Sequence, residues 1–459
     1  MTFETGYEKI KQSALDDFMT FLSFESISTE KEKKPIMLKT ADWLAQTLGN
    51  IGFSTQILKT EGHPVVYAEF FVSVDKPTVL IYGHYDVQPI DPIELWKTPP
   101  FKPTINDGKI YARGAQDNKG QIFYCIQAVR ALLTSGNPLP VNVKFMIEGE
   151  EEIGSPNLPK LLEEKKDLFK SDYFIVADCG IPDMETPAIT MGLRGILTLD
   201  VIFKGSQNDL HSGMHGGLAF NPNHALIQVL AQLRSSSGKI LVPGFYDDVV
   251  MPSEDFKKEM YEAYTPSLYL QKFGCNASGG EEGLSLLEKG ALRPTLEING
   301  ISGGHAGEGF KTVIPKEAIA KISCRLVPDQ DPDVIAKKVK TFIESIAPEG
   351  ILVEVHIHKG TGTPVRAESS SLIVQAMKSA YEEVFNKPCR FIVEGASIPI
   401  VAKLKEFISP EFVLMGLGLP DDGIHAPNEH FGVDRFQMGS KIIAKTLELL
   451  SNARFRESD

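Results

Sequence analysis

Four apolar runs in this chain stop abruptly at residues that bind cations. Thr78-Val79-Leu80-Ile81-Tyr82 is followed by Gly83-His84-Tyr85-Asp86, and Val141-Asn142-Val143-Lys144-Phe145-Met146-Ile147 by Glu148-Gly149-Glu150-Glu151-Glu152. Asp172-Tyr173-Phe174-Ile175-Val176-Ala177 ends on Asp178, and Phe412-Val413-Leu414-Met415 leads into a glycine-rich loop holding His425. A fifth candidate, Asp117, stands just before a helical pattern at 121–133. Imidazole and carboxylate without thiolate suit Zn²⁺, Mn²⁺ or Co²⁺ better than Ca²⁺. One bridging carboxylate with two further ligands per ion holds two cations about 3.5–4 Å apart, the arrangement of many hydrolases. The His84-x-Asp86 spacing fits that use, because alternate residues of an extended chain share a side, so Asp86 can reach the second ring nitrogen of His84 and fix its tautomer.

Each of these residues also has a bland reading. Acidic residues are welcome at a solvated helix start, so the glutamates after Ile147 can be a surface turn, and Asp117 can be a helix cap. What separates the readings is coincidence. In an open α/β sheet, ligands bind outside the carboxyl ends of parallel strands. If these four strands are parallel, His84 with Asp86, Glu151 with Glu152, Asp178 and the His425 loop lie along one edge and meet Asp117 in a single crevice.

The elements needed for that are legible in the pattern. Helical spacing occurs at 7–24 and around Trp43, Leu44 and Leu48, strand-like runs at 54–58 and 65–71, and a helix through Leu158 and Leu162. From about Gly195 the character changes to strand 196–203, helix 223–233, strands 295–301 and 318–327, helix 332–346 and strand 352–358. That βαββαβ order is the ferredoxin-like split unit. After about Thr361 the first pattern resumes with helix 371–385, strands 390–393 and 412–415, and helix 436–450. The expected fold is α/β: a catalytic domain with a mostly parallel central sheet in two segments, 1–194 and 363–459, and an inserted ferredoxin-like domain over 195–362.

Composition narrows the partners. With 459 residues, two or three domains are expected, and a net charge of −13 disfavours nucleic acid and anionic membrane. No apolar stretch is long enough to span a bilayer, and Met1-Thr2-Phe3-Glu4-Thr5 lacks the basic and apolar segments of a signal peptide, which points to the cytoplasm. Five scattered cysteines without a CxxC pair fit reduced thiols, with Cys125 and Cys324 on core patterns.

Gly83-His84-Tyr85-Asp86-Val87, Arg113-Gly114-Ala115-Gln116-Asp117-Asn118-Lys119-Gly120 and Glu148-Gly149-Glu150-Glu151-Glu152-Ile153-Gly154-Ser155 match, in order, the three N-terminal motifs of the M20 metallopeptidases. The chain resembles the carnosinase-like branch of cytosolic nonspecific dipeptidases in that family. The similarity extends through Asp209-Leu210-His211-Ser212-Gly213 and Lys311-Thr312-Val313-Ile314-Pro315. The resemblance implies that His84 and Asp178 hold one divalent ion, that Glu152 and His425 hold the other, and that Asp117 bridges them. It implies Zn²⁺ first, with Mn²⁺ or Co²⁺ as alternatives. Glu151, identified by counting back from Gly154-Ser155, is implied as general base, and Asp86 as the partner of His84. Glu150 stands where the branch often has an apolar residue.

The same resemblance implies a homodimer formed through the inserted domain, which also acts as a lid, with His211 reaching the partner's active site. Arg325, Ser397 and Thr312 look like the groups that hold a substrate's C-terminal carboxylate, and Ala396 replaces the usual glycine beside them. The implied reaction is hydrolysis of dipeptides or short peptides. An N-acyl-amino-acid deacylase on the same scaffold stays open, since the ligands do not distinguish the two. A non-catalytic dimeric binding protein is disfavoured, because crowding unneeded charges in a crevice is destabilising.

Overall fold

The structure, a computed structural model, describes residues 3–358, 361–395 and 398–453. The chain divides into two units: Met1–Gly192 with Ala367–Ile392 and Ile400–Asp459, and Leu193–Arg366 with Val393–Pro399.

The first unit is built on a mixed sheet whose strands run, in spatial order, Ser54–Leu58, Val65–Phe70, Asn142–Glu148, Thr78–His84, Tyr173–Ala177, Phe412–Met415 and Ala188–Leu193. The four strands that carry candidate ligands at their ends are adjacent and mutually parallel. Val65–Phe70 and Ala188–Leu193 flank them antiparallel. Central parallel strands are buried on both faces and read as unbroken apolar runs. Thr78–His84 and Asn142–Glu148 accordingly contain no exposed residue. The flanking strand at 188–193 was not foreseen, because a six-residue run containing Gly192 carries too little periodicity to stand out.

The helix expected at 121–133 spans Lys119–Thr134 and packs on Phe3–Leu22, on Val433–Ala453 and on the Thr78–His84 strand. Phe18, Phe21, Phe123 and Phe436 pack between these helices, with Phe18 and Phe436 ring centroids 4.8 Å apart, and Trp43 of the helix Lys34–Ile51 stacks on Phe21. Close approach is demanded at Gly83, where an added Cβ would lie 2.6 Å from Asn118 Oδ1 and 2.9 Å from Ile122 Cβ. A side chain there would push the Asp117 loop off the strand that carries His84.

The second unit is an antiparallel sheet in the order Thr295–Gly303, Glu317–Leu326, Gly195–Lys204, Leu352–Ile357. Helices Pro222–Gln232 and Pro332–Ser345 pack against it. Burial alternates strictly along Gly195–Lys204, the signature of a sheet covered on one face. Both helices begin at a polar cap followed by proline: Asn221 accepts from Asn223 N, and Asp331 from Asp333 N and Val334 N. Connectivity and strand order together are the ferredoxin-like βαββαβ unit.

Cys125 and Cys324 are buried, and all five cysteines are free. Among the described residues no helix is long and apolar enough to cross a membrane.

Candidate metal centre

The parallel register brings His84, Glu148 and Asp178 to one edge of the first unit's sheet. His84 is fully buried, and its Nδ1 lies 3.0 Å from the backbone oxygen of Asp86 and 3.2 Å from Asp86 Oδ1. Donation from Nδ1 leaves the Nε2 lone pair facing the crevice. There it meets Asp117 Oδ1 at 3.1 Å, Asp178 Oδ1 at 3.7 Å and Glu151 Oε2 at 3.8 Å. On the other side of Asp117, His425 Nε2 is 2.9 Å from Asp117 Oδ2 and 3.3 Å from Glu152 Oε2. Asp117 therefore stands between two imidazoles. It is not the helix cap: Asn118 occupies the cap position before Lys119, and its side chain makes no capping bond.

Asp86 does more than orient His84. Its Oδ1 accepts from Glu151 N at 3.2 Å and its Oδ2 from Glu152 N at 3.1 Å, so one buried carboxylate holds both the imidazole and the acidic turn. Glu151 and Glu152 then point into the crevice from a single 3₁₀ turn, Glu151–Ile153, closed by Gly154 at φ 83°. Glu150, on the other hand, is buried beneath Gly62 and accepts from Asn157 Nδ2 at 3.0 Å with both oxygens. Its role is to pack the turn rather than to face the crevice.

Three positioning side chains had no assignment from the sequence. Gln88 Nε2 donates to Glu152 Oε2 at 2.7 Å, and Asn118 Nδ2 donates to Asp178 Oδ1 at 2.6 Å. Glu429 lies four residues beyond His425 and receives the backbone of the Asp117 loop. Asn118 could have been suspected from its place inside the second motif. Glu429 could not, because its signal is a contact across more than three hundred residues.

The charges define the demand of the site. Burial pushes Glu151 well above the usual carboxylate range, opposed by His84 and reinforced by Asp178, Asp117 and Glu152. Burial likewise raises Glu152, and lifts Asp178 to about 6 against the pull of His84. Asp117 moves the other way: burial is overridden by hydrogen bonds from His425 and His84, which hold it far below the ordinary value. For His84, burial favours the neutral ring, but the hydrogen bonds of Asp117, Asp178 and Asp86 win and raise it strongly. The bonds to Asp117 and Glu152 bring His425 up to about 10. The raised rings and the raised carboxylates express one demand: these crowded carboxylates call for positive charge at the centre, supplied by protons on the two rings or by cations that displace them. Within it, His84, Asp117 and Glu152 form one group whose ligand atoms all lie within 4.8 Å of one another, and His84, Glu151 and Asp178 form a second. This all nitrogen and oxygen donor set fits divalent transition ions.

The family profile "Peptidase family M20/M25/M40" matches residues 80–449, which include every one of these side chains. This chain belongs to that family. Human Beta-Ala-His dipeptidase is 37% identical over 397 residues, 83% of this chain and 76% of that protein. The Cys-Gly metallodipeptidase of Schizosaccharomyces pombe is 30% identical and matches over 98% of this chain and 99% of its own. Among solved structures, the M20 family metallo-carboxypeptidase Sso-CP2 of Sulfolobus solfataricus superposes with a TM-score of 0.85 at 34% identity, covering 95% and 99% of the two chains. The M20 motifs therefore sit where the geometry brings the candidate ligands together, and the protein is a metallopeptidase by family.

The loop that carries His425 is pinned from behind. Arg435 is buried and forks onto Asp422, Nη1 to Oδ2 at 2.5 Å and Nη2 to Oδ1 at 2.6 Å, while Asp422 Oδ2 also accepts from Leu419 N at 2.7 Å. His425 itself holds a φ of 55°, a left-handed conformation uncommon for a non-glycine residue. Asp422→Ala strands a buried guanidinium, so a loss of about 3–5 kcal/mol is expected, read as a fall in the urea midpoint at unchanged slope. A midpoint shift that, multiplied by the slope, amounts to less than about 1 kcal/mol would show that the pair contributes little.

Of the remaining expected site residues, three are described in the second unit. His211 and Thr312 are brought together, with His211 Nε2 3.3 Å from Thr312 Oγ1, by the pairing of Leu210–His211 with Val313–Ile314. Arg325 is half-buried on the sheet, which lowers its guanidinium somewhat from its ordinary value. The sequence reading missed its neighbour Arg194, which burial, with the Arg325 charge second, brings down to about 10. Ser397 and Ala396 lie outside the described residues.

Proposed function

We propose that this protein is a dinuclear-metal-dependent dipeptidase acting on dipeptides or short peptides with a free C-terminal carboxylate. The observation that carries the reading is Asp117 standing between the Nε2 atoms of His84 and His425, with Glu151, Glu152 and Asp178 around them, in a chain of the M20 family. His84 and Asp178 would hold one divalent ion, Glu152 and His425 the other, and Asp117 would bridge. Zn²⁺ is the first choice of cofactor, with Mn²⁺ and Co²⁺ as alternatives. Two such ions, when bound, supply Lewis-acid polarisation of the scissile carbonyl and a water that ionises near neutral pH.

The chain's own groups do the rest. Glu151 accepts the proton of the attacking water on a carboxylate oxygen and delivers it to the amine nitrogen as the peptide bond breaks. Asp86 keeps the Glu151 turn and the His84 ring in register through its two oxygens. Arg325, Thr312 and Ser397 take the substrate's carboxylate, and Ala396 shapes the same pocket. His211 donates to the developing oxyanion of the partner subunit's site. Its Nδ1 accepts from Gly213 N at 3.0 Å, so the neutral ring carries its proton on Nε2 as a donor. The inserted unit would provide the surface of a homodimer. Met214, Leu218 and Ile227 support that reading, being large apolar side chains at 72%, 82% and 61% exposure, respectively. A cytoplasmic protein with no nucleic-acid or membrane partner is the setting that fits the net charge of −13.

A carboxypeptidase reading has one observation in its favour, the likeness to the Sulfolobus metallo-carboxypeptidase. It shares the carboxylate requirement and differs in substrate length. Both readings, and the deacylase alternative, are separated by one panel: dipeptides, tetrapeptides and matched N-acetyl amino acids, with chelated protein reloaded separately with Zn²⁺, Mn²⁺ and Co²⁺. Dipeptide cleavage that vanishes on chelation and returns with one metal is the expected result. Turnover confined to tetrapeptides or to N-acetyl compounds would replace the dipeptidase by one of its rivals.

A further inference from the structure

Glu429 is fully buried, and its carboxylate is saturated by one stretch of chain. Its Oε2 accepts from Arg113 Nη1 at 2.8 Å and from Gly114 N at 2.9 Å, while its Oε1 accepts from Gln116 N and Asp117 N, both at 3.0 Å. Its own backbone oxygen accepts from Ala112 N at 3.1 Å. Every donor lies in the loop that ends in Asp117, and the acceptor lies on the segment that carries His425. The two ring contacts of Asp117, 3.1 Å to His84 Nε2 and 2.9 Å to His425 Nε2, depend on where that loop is held.

We infer that Glu429 is a positioning residue that clamps the Asp117 loop to the His425 segment, and so preorganises the bridging ligand of the metal centre before any cation binds. The inference rests on the dinuclear reading of Asp117 and deepens it. Arg113 keeps the clamp charge-balanced: it is itself buried, donates Nη2 to Pro89 O at 2.9 Å, and lies over the Trp96 ring at 5.2 Å. A carboxylate is required because four donors converge on two oxygens. An amide retains one oxygen and sets N–H groups against two of those donors, whichever way it turns. Residues that hold ligands in place cost 10- to 100-fold in metal affinity when altered. Asp117 is shared by both ions, so both should be affected.

The test is Glu429→Gln in the full-length chain, stripped with chelator and titrated with Co²⁺ against a competing chelator, with the visible d–d spectrum recorded. Wild type is expected to take two Co²⁺ per chain. Glu429→Gln is expected to bind both at least 10-fold more weakly, with an altered spectrum from the folded fraction. An unchanged affinity and spectrum, even alongside lower thermal stability, would make Glu429 a structural residue only and overturn the inference while leaving the dinuclear reading intact. Failure of the wild type to bind Co²⁺ would instead remove the dinuclear reading and the inference with it. Should the variant not fold, amide hydrogen exchange on metal-free wild type decides. Gly114, Gln116 and Asp117 are expected to exchange slowly without metal. Exchange at open-loop rates until Co²⁺ is added would mean that the cation, not Glu429, orders the loop.

Discussion

Glu151→Gln should leave the fold and the bound metal in place and cut kcat on a good dipeptide by about 10²–10⁴-fold. The substitution is nearly isosteric, and the turn beneath it is held by backbone contacts that it does not touch, Glu151 N to Asp86 Oδ1 and Glu152 N to Asp86 Oδ2. What disappears is a group able to take a proton from water and return it to the departing amine, two steps served by one carboxylate. Steady-state kinetics on protein of verified metal content is the measurement. Turnover within a factor of a few of wild type would remove Glu151 from the proton path.

The second large effect is expected at His211, in the other unit. His211→Ala should fold, assemble and bind metal like wild type, yet lose about 10²–10³-fold in kcat, the range for deleting one oxyanion donor. A mixture with Glu151→Gln separates action within a subunit from action across the dimer. In a mixed dimer, the His211→Ala chain keeps Glu151 and would receive an intact His211 from its partner, so one of the two sites revives. Activity well above that of either parent in verified mixed dimers is the expected outcome. Its absence would place His211 outside the neighbouring site.

Glu151 is legible in the sequence for a local reason, whereas His211 is marked only by the family resemblance of Asp209-Leu210-His211-Ser212-Gly213. A buried parallel strand announces itself as an unbroken apolar run, and its carboxyl end is wherever that run stops. His84, Asp86, Glu151, Glu152 and Asp178 therefore stood out one strand at a time. The ferredoxin-like unit was legible for a related reason, since one covered face imposes strict alternation on Gly195–Lys204 and Glu317–Leu326. Asp117 was harder. Ahead of a helix it looks like a cap, and only the distances to two imidazoles show that its carboxylate is used elsewhere.

The strand patterns and the three motifs by themselves determined the fold class, the family resemblance and the set of candidate ligands, because each is written in side chains that are close along the chain. They did not determine what holds those ligands still. That Asp86 grips both the His84 ring and the acidic turn, that Glu150 packs on Gly62 and Asn157, that Gln88 and Asn118 orient Glu152 and Asp178, and that Glu429 receives the Asp117 loop are consequences of parallel register and of long-range contact. Hydrogen bonds of this kind need only an acceptor at the right point in space. Their partners leave no spacing in the sequence, and the tertiary structure alone brings Glu429 to the backbone of a residue 312 positions earlier.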